Sequence, residues 1–284
     1  MQNEKARELK DNLAKLIEAL ATDTDAARQS TLFTAYLRAC GMFHDYSWHN
    51  CAMIWSQKPE ATRVAGFQTW KKLGRYVVAG SKGIAIFAPM TFKDKSTAED
   101  GAEQESRRVW FRVVYVFDVS QTGGQSLPEL PSECTGNGGE SLCDRLLSFA
   151  AEKDIIVETR TIAGSAKGYA SEKGTRITLS NSLSVSDRAA VLIHEISHCL
   201  LHFSESKPNL KQRELEAEAT SFVVASHFGL NPESKFYLAS YGVKASDLLE
   251  SLPVIQQTAA QIISASTTNQ QQQTVAAVEM AAAA

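Results

Sequence analysis

Apolar residues near the start of the chain recur at helical spacing. Leu9, Leu13 and later apolar residues repeat every three or four positions with charges between them, which predicts an amphipathic helix over residues 4–20. A Thr-Asp-Thr-Asp break then offers N-caps for a second helix over residues 25–40. A third helix is predicted over residues 45–56 and ends before a Lys-Pro pair.

The next region has a strand-like pattern, in which apolar and polar residues alternate with a period of two. Short β-prone pieces at 76–78 and 84–88 flank a Gly-Ser-Lys-Gly turn, and residues 108–119 are dense in Val, Tyr and Phe. A polar, charged stretch at 91–106 separates the last two pieces. We therefore predict that they pair as a long hairpin with a solvated tip.

A stretch without periodicity divides the chain. Residues 121–139 are rich in Gly, Pro and Ser, the composition of an interdomain linker. The elements on either side predict an α+β fold with two domains. The predicted segments are an N-terminal helix (1–24), a first domain (25–122), a linker (123–140), a second domain (141–265) and a disordered Gln- and Ala-rich tail (266–284).

The second domain is predicted to mix helices and strands. Its elements are helices over 142–153, 233–241 and 245–263, strands over 155–159 and 176–179, and an apolar helix that begins near Ala189. The strand at 176–179 directly precedes the apolar helix. If this strand lies at a sheet edge, it can add a substrate peptide in extended form.

The apolar helix contains an H-E-x-x-H motif from His194 to His198. Two histidines four residues apart lie on one face of a helix, about one turn from each other, so both imidazoles can reach a single ion. The motif places the Glu195 carboxylate beside the open position of that ion, where a bound water can lose its proton. The sequence therefore predicts a zinc site with two histidine ligands and a base.

A catalytic zinc normally takes three protein ligands, so a third must come from another segment. The next predicted helix carries Glu214 and Glu218 one turn apart on one face. Glu218 lies twenty residues after His198, a separation that lets an antiparallel helix return a carboxylate to the first. We predict Glu218 as the third ligand, with Glu214 as the fallback, and Glu216 as a solvated charge on the opposite face.

Composition excludes several classes of protein. Hydrophobic residues make up 44% of the chain and charged residues 21%, as in ordinary globular proteins. No apolar run approaches the roughly 20 residues of a membrane span, and the N-terminus lacks the apolar core of a secretory signal. We therefore expect a cytoplasmic protein without a membrane partner. Five cysteines without a C-x-x-C pair argue against a disulfide framework and a zinc ribbon.

Charge is distributed unevenly along the chain. The net charge is −3, yet residues 1–125 contain 17 Lys and Arg against 14 Asp and Glu, a balance of +3. Residues 36–90 contain seven basic and two acidic side chains, interleaved with aromatic residues. Proteins that bind single-stranded nucleic acid combine cations that follow the phosphates with aromatic faces that stack on bases. Basic patches also serve as plain solubilising faces.

The aromatic residues of this basic region divide into two groups. Trp55 and Phe67 have apolar neighbours and are predicted to be core residues, whereas Trp48, Trp70 and Tyr76 are predicted to be partly exposed. The candidate nucleic-acid-binding residues are Trp48, Arg63, Trp70, Lys71, Lys72, Arg75, Tyr76 and Lys82.

Several motifs, taken in order over about residues 25–263, resemble the family of the anti-restriction protein ArdC. They are the stretches Tyr46 to Asn50, Val64 to Trp70, Gly80 to Ile84, Val116 to Thr122, Gly168-Tyr169, His194 to His198 and Glu216 to Ala219. In that family an N-terminal domain that binds single-stranded DNA precedes a zinc metalloprotease-like domain similar to the ImmA and IrrE regulators.

The resemblance implies single-stranded DNA as a partner, a protein or peptide as substrate, and Zn²⁺ as cofactor. It also implies His194, His198 and Glu218 as ligands and Glu195 as the base. Two functions follow: a DNA-directed zinc metallopeptidase, or a non-enzymatic protein that shields single-stranded DNA and has a structural or inert zinc domain. Glu195 favours the enzyme, because a purely structural site needs no base.

Overall fold

The chain forms two compact units in a computed structural model. Residues 1–16 and 53–125 form the first unit, and residues 17–52 and 126–284 form the second. Helices and strands occur in both units, which confirms the predicted α+β class. The structure describes residues 2–22, 26–97, 103–127, 138–164, 166–171, 173–203, 208–230 and 245–267.

The domain boundaries predicted from the sequence remain a prediction, and residues 17–52 group differently from that expectation. The predicted helix at 233–241 lies outside the described residues, as do residues 128–137 of the predicted linker and 268–284 of the predicted tail. Among the described helices, none has the length and apolarity that a membrane crossing requires.

The first unit is built around an antiparallel sheet. Its helices are the start of α1 (Gln2–Thr22), the end of α3 (Trp48–Gln57) and α4 (Phe67–Lys72). Its strands are β1 (Val64–Gly66), β2 (Arg75–Val77), β3 (Ile84–Thr97), β4 (Glu103–Asp118) and β5 (Thr122–Gly124), with a short 3-10 helix at Val119–Gln121. The sheet order is β1-β4-β3, and β2 pairs separately with β5.

The predicted long hairpin is confirmed. β3 and β4 pair in antiparallel register from Ile84 opposite Val116 to Thr97 opposite Glu103. Ile84 and Val116 are both buried, so the base of the hairpin forms part of the core of this unit. Residues 91–97 and 103–106, which were predicted as part of the solvated tip, instead extend the two strands, and residues 98–102 lie outside the described residues.

A buried carboxylate joins the end of β4 to the segment before β1. Asp118 is 1% exposed, and its oxygens accept from the backbone N–H groups of Thr62 at 2.8 Å, Arg63 at 3.1 Å and Ser120 at 2.9 Å. Burial favours a higher pKa for Asp118, but these hydrogen bonds outweigh it and hold the pKa below its usual value.

Replacing this carboxylate is expected to destabilise the protein. Asp118→Ala leaves three N–H groups without their acceptor, and a hydrogen bond to a charged group contributes about 1.5–3 kcal/mol. We expect the free energy of unfolding to fall by about 3 kcal/mol in urea titrations. Glu60→Ala, which removes an exposed carboxylate paired with Lys58, is the control and should leave stability unchanged. An equal stability of Asp118→Ala and wild type would contradict this role.

The second unit combines helices with a small mixed sheet. Its helices include α2 (Ala26–Met42), α5 (Gly138–Glu152), α6 (Val185–Leu201), α7 (Leu210–His227) and α8 (Ala245–Ser266). Its strands are β6 (Ile156–Arg160), β7 (Gly168–Ala170) and β8 (Arg176–Ser180).

The strand that precedes the helix with the H-E-x-x-H motif does not lie at an edge. The order is β6-β8-β7, so β8 is central, with β6 parallel to it on one side and β7 antiparallel on the other. The hypothesis that residues 176–179 add a substrate strand is therefore wrong, because their backbone groups are already paired. β7, a strand that the sequence pattern does not predict, lies at an edge.

α2 belongs to the second unit because it packs closely on α7. A Cβ atom at Gly41 would lie 2.6 Å from the carbonyl oxygen of Val223, so only glycine permits this approach. The His227 ring on α7 contacts the Gly41 carbonyl, with Nδ1 2.9 Å from the oxygen. The Gln256 amide on α8 donates to the carbonyls of Cys40 at 3.4 Å and Tyr46 at 3.2 Å. These contacts link α2 and the loop after it to α7 and α8.

Candidate functional site

α6 positions the H-E-x-x-H motif through its amphipathic pattern. The Ser184 hydroxyl caps its N-terminus by accepting from the Asp187 N–H. Leu192, Ile193 and Ile196 on the same helix are fully buried. The histidine side chains point away from this core, with His194 22% and His198 14% exposed.

The two histidines present the same ring nitrogen to one point. His194 Nε2 and His198 Nε2 are 3.1 Å apart. Two nitrogens that each lie about 2.0–2.1 Å from a tetrahedral ion are separated by roughly 3.3 Å. The spacing of the motif thus suits a shared ion, as the sequence predicts.

α7 brings two carboxylates to these rings, on different sides. Glu214 faces both Nε2 atoms, at 3.8 Å from His194 and 3.6 Å from His198. Together the ligand atoms of these three residues lie within 4.8 Å of one another. Glu218 instead lies 3.2 Å from Nδ1 of His194. Glu218 as the third ligand remains a prediction, and the fallback Glu214 is the carboxylate that completes the cluster.

Three carboxylates surround the two imidazoles and give the site a negative potential. Burial favours a lower pKa for His194, but the hydrogen bond to Glu218 and the nearby carboxylates outweigh it and raise the pKa. The hydrogen bond from His198 lowers the pKa of Glu214. Such a group of carboxylates around two imidazoles favours a bound cation.

Glu195 lies beside these rings and is 7% exposed. Burial raises its pKa, and the charges of His194 and His198 only partly offset that effect. A carboxylate with a raised pKa is a better proton acceptor, which suits the predicted role as base.

The prediction that Glu216 is a solvated charge is wrong. Glu216 is 4% exposed and lies 3.0 Å from His202, which is itself 1% exposed. Helical periodicity correctly places Glu216 on the face opposite Glu214, but α7 is buried on that face as well. Leu215, Ala217 and all residues from 219 to 225 are also buried.

The candidate nucleic-acid-binding residues do not form a single group. Lys71, Lys72, Tyr76 and Lys82 are exposed in the first unit, and Arg63 is half-buried there. Trp48 belongs to the second unit, where its half-buried ring stacks on His49 with centroids 3.7 Å apart.

Two of the exposure predictions are wrong. Trp70 is 2% exposed, and its indole N–H donates to the Phe117 carbonyl at 2.9 Å, so its ring belongs to the core and offers no free face. Phe67, predicted as core, is 52% exposed at the start of α4. Tyr76 is 64% exposed, as predicted.

Arg75 uses its guanidinium inside the first unit. Its Nε donates to the Thr122 hydroxyl at 2.8 Å and its Nη2 to the Thr122 carbonyl at 3.0 Å, and Nη1 donates to the Gln125 carbonyl. These bonds tie β2 to β5. The remaining exposed cations of the candidate set are therefore the lysines.

β4 carries exposed aromatic residues that the sequence analysis assigned only to a hairpin. Trp110 is 69% exposed, Phe111 59% and Tyr115 50%. Arg112 is exposed on the same strand. We call Trp110, Phe111, Arg112 and Tyr115 the β4 strip. The signal was present in the sequence, because a strand with apolar residues on both faces needs a cover on both faces or a partner.

Comparison with known proteins shows similarity to one family. Residues 4–117 match the N-terminal domain of the anti-restriction factor ArdC. The fold of the whole chain matches a crystal structure of the Mn(II)-bound antirestriction protein ArdC from plasmid R388. That match has a TM-score of 0.50 and 16% identity, and it covers 97% of this chain and 98% of the other. The chain is similar to ArdC in its N-terminal domain and in its fold.

Two further relatives accompany this ArdC match. The metal-free structure of the same plasmid protein aligns with a TM-score of 0.47 and 18% identity, over 83% of this chain and 84% of that one. An uncharacterized protein of Bacillus anthracis is 26% identical over 267 residues, covering 78% of this chain. The ArdC-like chain spans 45% of the length of that relative. The family resemblance predicted from the motifs is confirmed.

Proposed function

We propose that this ArdC-like protein is an anti-restriction factor that binds single-stranded DNA through its first unit and hydrolyses peptide bonds at a metal centre in its second. The observation that carries the peptidase is the convergence of His194 Nε2, His198 Nε2 and a carboxylate of α7, with Glu195 beside them. A catalytic centre needs both the ligands and the base, and α6 supplies two of the ligands and the base within about one turn.

The residues present fit a divalent cation. Two imidazole nitrogens and one carboxylate are a common ligand set of catalytic zinc, and the 3.1 Å separation of the nitrogens suits that ion. We propose Zn²⁺ as the cofactor, held by His194, His198 and Glu214 or Glu218. The ArdC structure of plasmid R388 contains Mn(II), and the same donors accept manganese with lower affinity in the general order of divalent metals.

Each residue has a distinct role in the proposed reaction. A divalent ion supplies a Lewis acid that polarises a carbonyl and acidifies water. Glu195 accepts the proton of the attacking water, and its raised pKa suits the later return of that proton to the leaving amine. Glu218 accepts a hydrogen bond from Nδ1 of His194 and fixes that ring, if Glu214 is the ligand.

Removal of the metal tests this proposal. Cleavage of an unfolded protein substrate, assayed with and without single-stranded DNA, should disappear after dialysis against a chelator and return when Zn²⁺ is added. Affinity for DNA should stay constant, because the proposed contacts are in the first unit. Hydrolysis that continued in metal-free protein would contradict a metallopeptidase.

The DNA-binding proposal depends on the exposed lysines and the aromatic residues. Lys71, Lys72 and Lys82 supply cations, and Tyr76 supplies an exposed ring. The sequence also predicted DNA contacts by Trp48, Arg63, Trp70 and Arg75. Trp70 is buried and Arg75 is hydrogen-bonded within the first unit, so the remaining candidates are favoured as DNA contacts. The β4 strip adds exposed rings beside Arg112, a combination that suits stacking on unpaired bases.

Trp110→Ala is expected to weaken binding to a fluorescent oligo(dT) by about 5- to 150-fold, since stacking contributes about 1–3 kcal/mol per base. Fluorescence anisotropy measures the affinity. Ile156→Ala, which removes an exposed apolar side chain from the second unit, is the matched control and should bind as wild type. Equal affinities of Trp110→Ala and wild type would exclude the β4 strip from the interface.

Lys71→Ala/Lys72→Ala is expected to weaken binding to every single strand alike. Each lost phosphate contact should also reduce the slope of log affinity against log salt, by about 0.7 for single strands. Titrations at several salt concentrations measure the slope. Affinity that does not weaken with salt in the wild type would contradict an electrostatic surface.

The second candidate function is a DNA-shielding protein without peptidase activity. The exposed rings and cations of the first unit favour it, because they can bind DNA whether or not the metal centre is active. Glu195→Gln separates the two functions, because it removes the proposed base and leaves the first unit unchanged.

A further inference from the structure

A chain of buried polar side chains extends from the candidate metal centre to α8. His198 Nδ1 lies 2.9 Å from His202 Nδ1, and His202 Nε2 lies 3.0 Å from Glu216 Oε2. The other carboxylate oxygen, Oε1, accepts from the Ser251 hydroxyl at 2.7 Å and from the Gln212 amide at 3.1 Å. We call His202, Glu216, Ser251 and Gln212 the relay.

Ring chemistry allows one arrangement of protons in the relay when His198 is a ligand. Nε2 of His198 must then be unprotonated, so its Nδ1 carries the hydrogen and donates to Nδ1 of His202. His202 accepts at Nδ1 and therefore carries its own hydrogen on Nε2. That hydrogen points at Glu216, which as a carboxylate has only acceptors. Each of these groups thus has a partner of the correct kind.

Three members of the relay are also enclosed. His202 is 1% exposed, Glu216 4% and Ser251 0%. A buried carboxylate is unfavourable unless it is paired and hydrogen-bonded, and apolar residues of similar size would fill the same space at no such penalty. The relay therefore holds polar atoms where packing alone does not require them, directly behind one ligand.

Building on the proposed metal centre, we propose that His202 and Glu216 are positioning residues for the metal. They hold His198 in the Nδ1–H tautomer with Nε2 toward the ion. The negative charge of Glu216 acts through His202 and strengthens His198 as a metal ligand. Ser251 and Gln212 fix Glu216. Docking of α8 therefore contributes to metal affinity although α8 supplies no ligand to the cluster.

Metal affinity of full-length variants tests the relay. Glu216→Gln keeps the shape and removes the charge, and outer-shell partners of this kind change metal affinity by about 10- to 100-fold. We expect the Kd for Zn²⁺, measured by competition with a chromophoric chelator, to rise within that range. Ser251→Ala should raise it in the same direction and by less. Ser221→Ala is the matched control, because its buried hydroxyl donates to the Ala190 carbonyl of α6, outside the relay. This variant should bind Zn²⁺ as tightly as wild type.

A merely structural role predicts a different pattern. It would lower the melting temperature of the metal-free protein in Glu216→Gln and Ser251→Ala while leaving the Kd unchanged, and that result would overturn the proposal. A wild type that binds no divalent ion would contradict the metal centre itself. These two failures are distinguishable because only the second concerns the wild type.

A measurement on the wild type remains decisive if Glu216→Gln does not fold. Long-range ¹H–¹⁵N correlation spectra of the zinc-loaded protein report which nitrogen of each histidine is protonated. We expect the hydrogen on Nδ1 in His198 and on Nε2 in His202. A His202 ring with its hydrogen on Nδ1 cannot accept from His198, and that spectrum would overturn the relay.

Discussion

Glu195→Gln is expected to retain its metal and to lose peptide hydrolysis by about 10²- to 10⁴-fold, the range that general bases contribute. The carboxamide has nearly the shape of the carboxylate, so the 7% exposed side chain still fits its site. It cannot accept a proton from water. The loss should therefore appear in kcat, with metal content and fold intact.

The experiment compares three proteins in the same assay. Wild type, Glu195→Gln and the control Glu152→Gln, an exposed carboxylate on α5, are loaded with Zn²⁺ and tested for metal content, DNA affinity and proteolysis. Glu152→Gln should match wild type in all three. Glu195→Gln should differ only in proteolysis.

Two results would change the conclusion. Full proteolysis by Glu195→Gln would remove this residue as the base. If wild type and variant both bind zinc and both shield single-stranded DNA, yet neither cleaves any protein substrate, the peptidase proposal fails and the DNA-shielding function remains.

The sequence predicts those parts of the metal site that depend on local geometry. His194 and His198 meet because a helix brings residues four apart to one face, and no distant contact is needed. The choice between Glu214 and Glu218 depends on how far α7 slides along α6. A shift of one turn exchanges them, and no pattern within α7 records that register.

The remaining errors have the same origin in long-range packing. Glu216 looks solvated only if one face of α7 is exposed, and the packing of α8 against it is not encoded in its own periodicity. Likewise, β8 is central because β7 pairs with it. β7 has only three residues, so it is too short to be recognised from sequence alternation.

The wrong exposure prediction for Trp70 has a local cause. Trp70 precedes two lysines in the sequence, which suggested exposure. Successive residues on a helix point about 100° apart, so Lys71 and Lys72 can face solvent while the indole of Trp70 donates to the Phe117 carbonyl. Sequence neighbours therefore do not indicate the exposure of a helical side chain.

Glu214→Gln is expected to weaken zinc binding more than Glu218→Gln does. Glu214 lies 3.6 and 3.8 Å from the two Nε2 atoms and is placed to become a ligand, whereas Glu218 lies 3.2 Å from the opposite nitrogen of His194. Loss of an outer-shell partner changes metal affinity by about 10- to 100-fold, so Glu218→Gln should fall in that range and Glu214→Gln beyond it.

Competition with a chelator of known affinity measures both constants, and melting curves of the metal-free proteins verify that each variant folds. Glu152→Gln again serves as the control and should bind as wild type. The reverse order, with Glu218→Gln losing more affinity, would make Glu218 the third ligand, as predicted from the sequence. In that case α7 must advance along α6 when the ion binds, because Glu218 now contacts His194 at the ring nitrogen that faces away from His198.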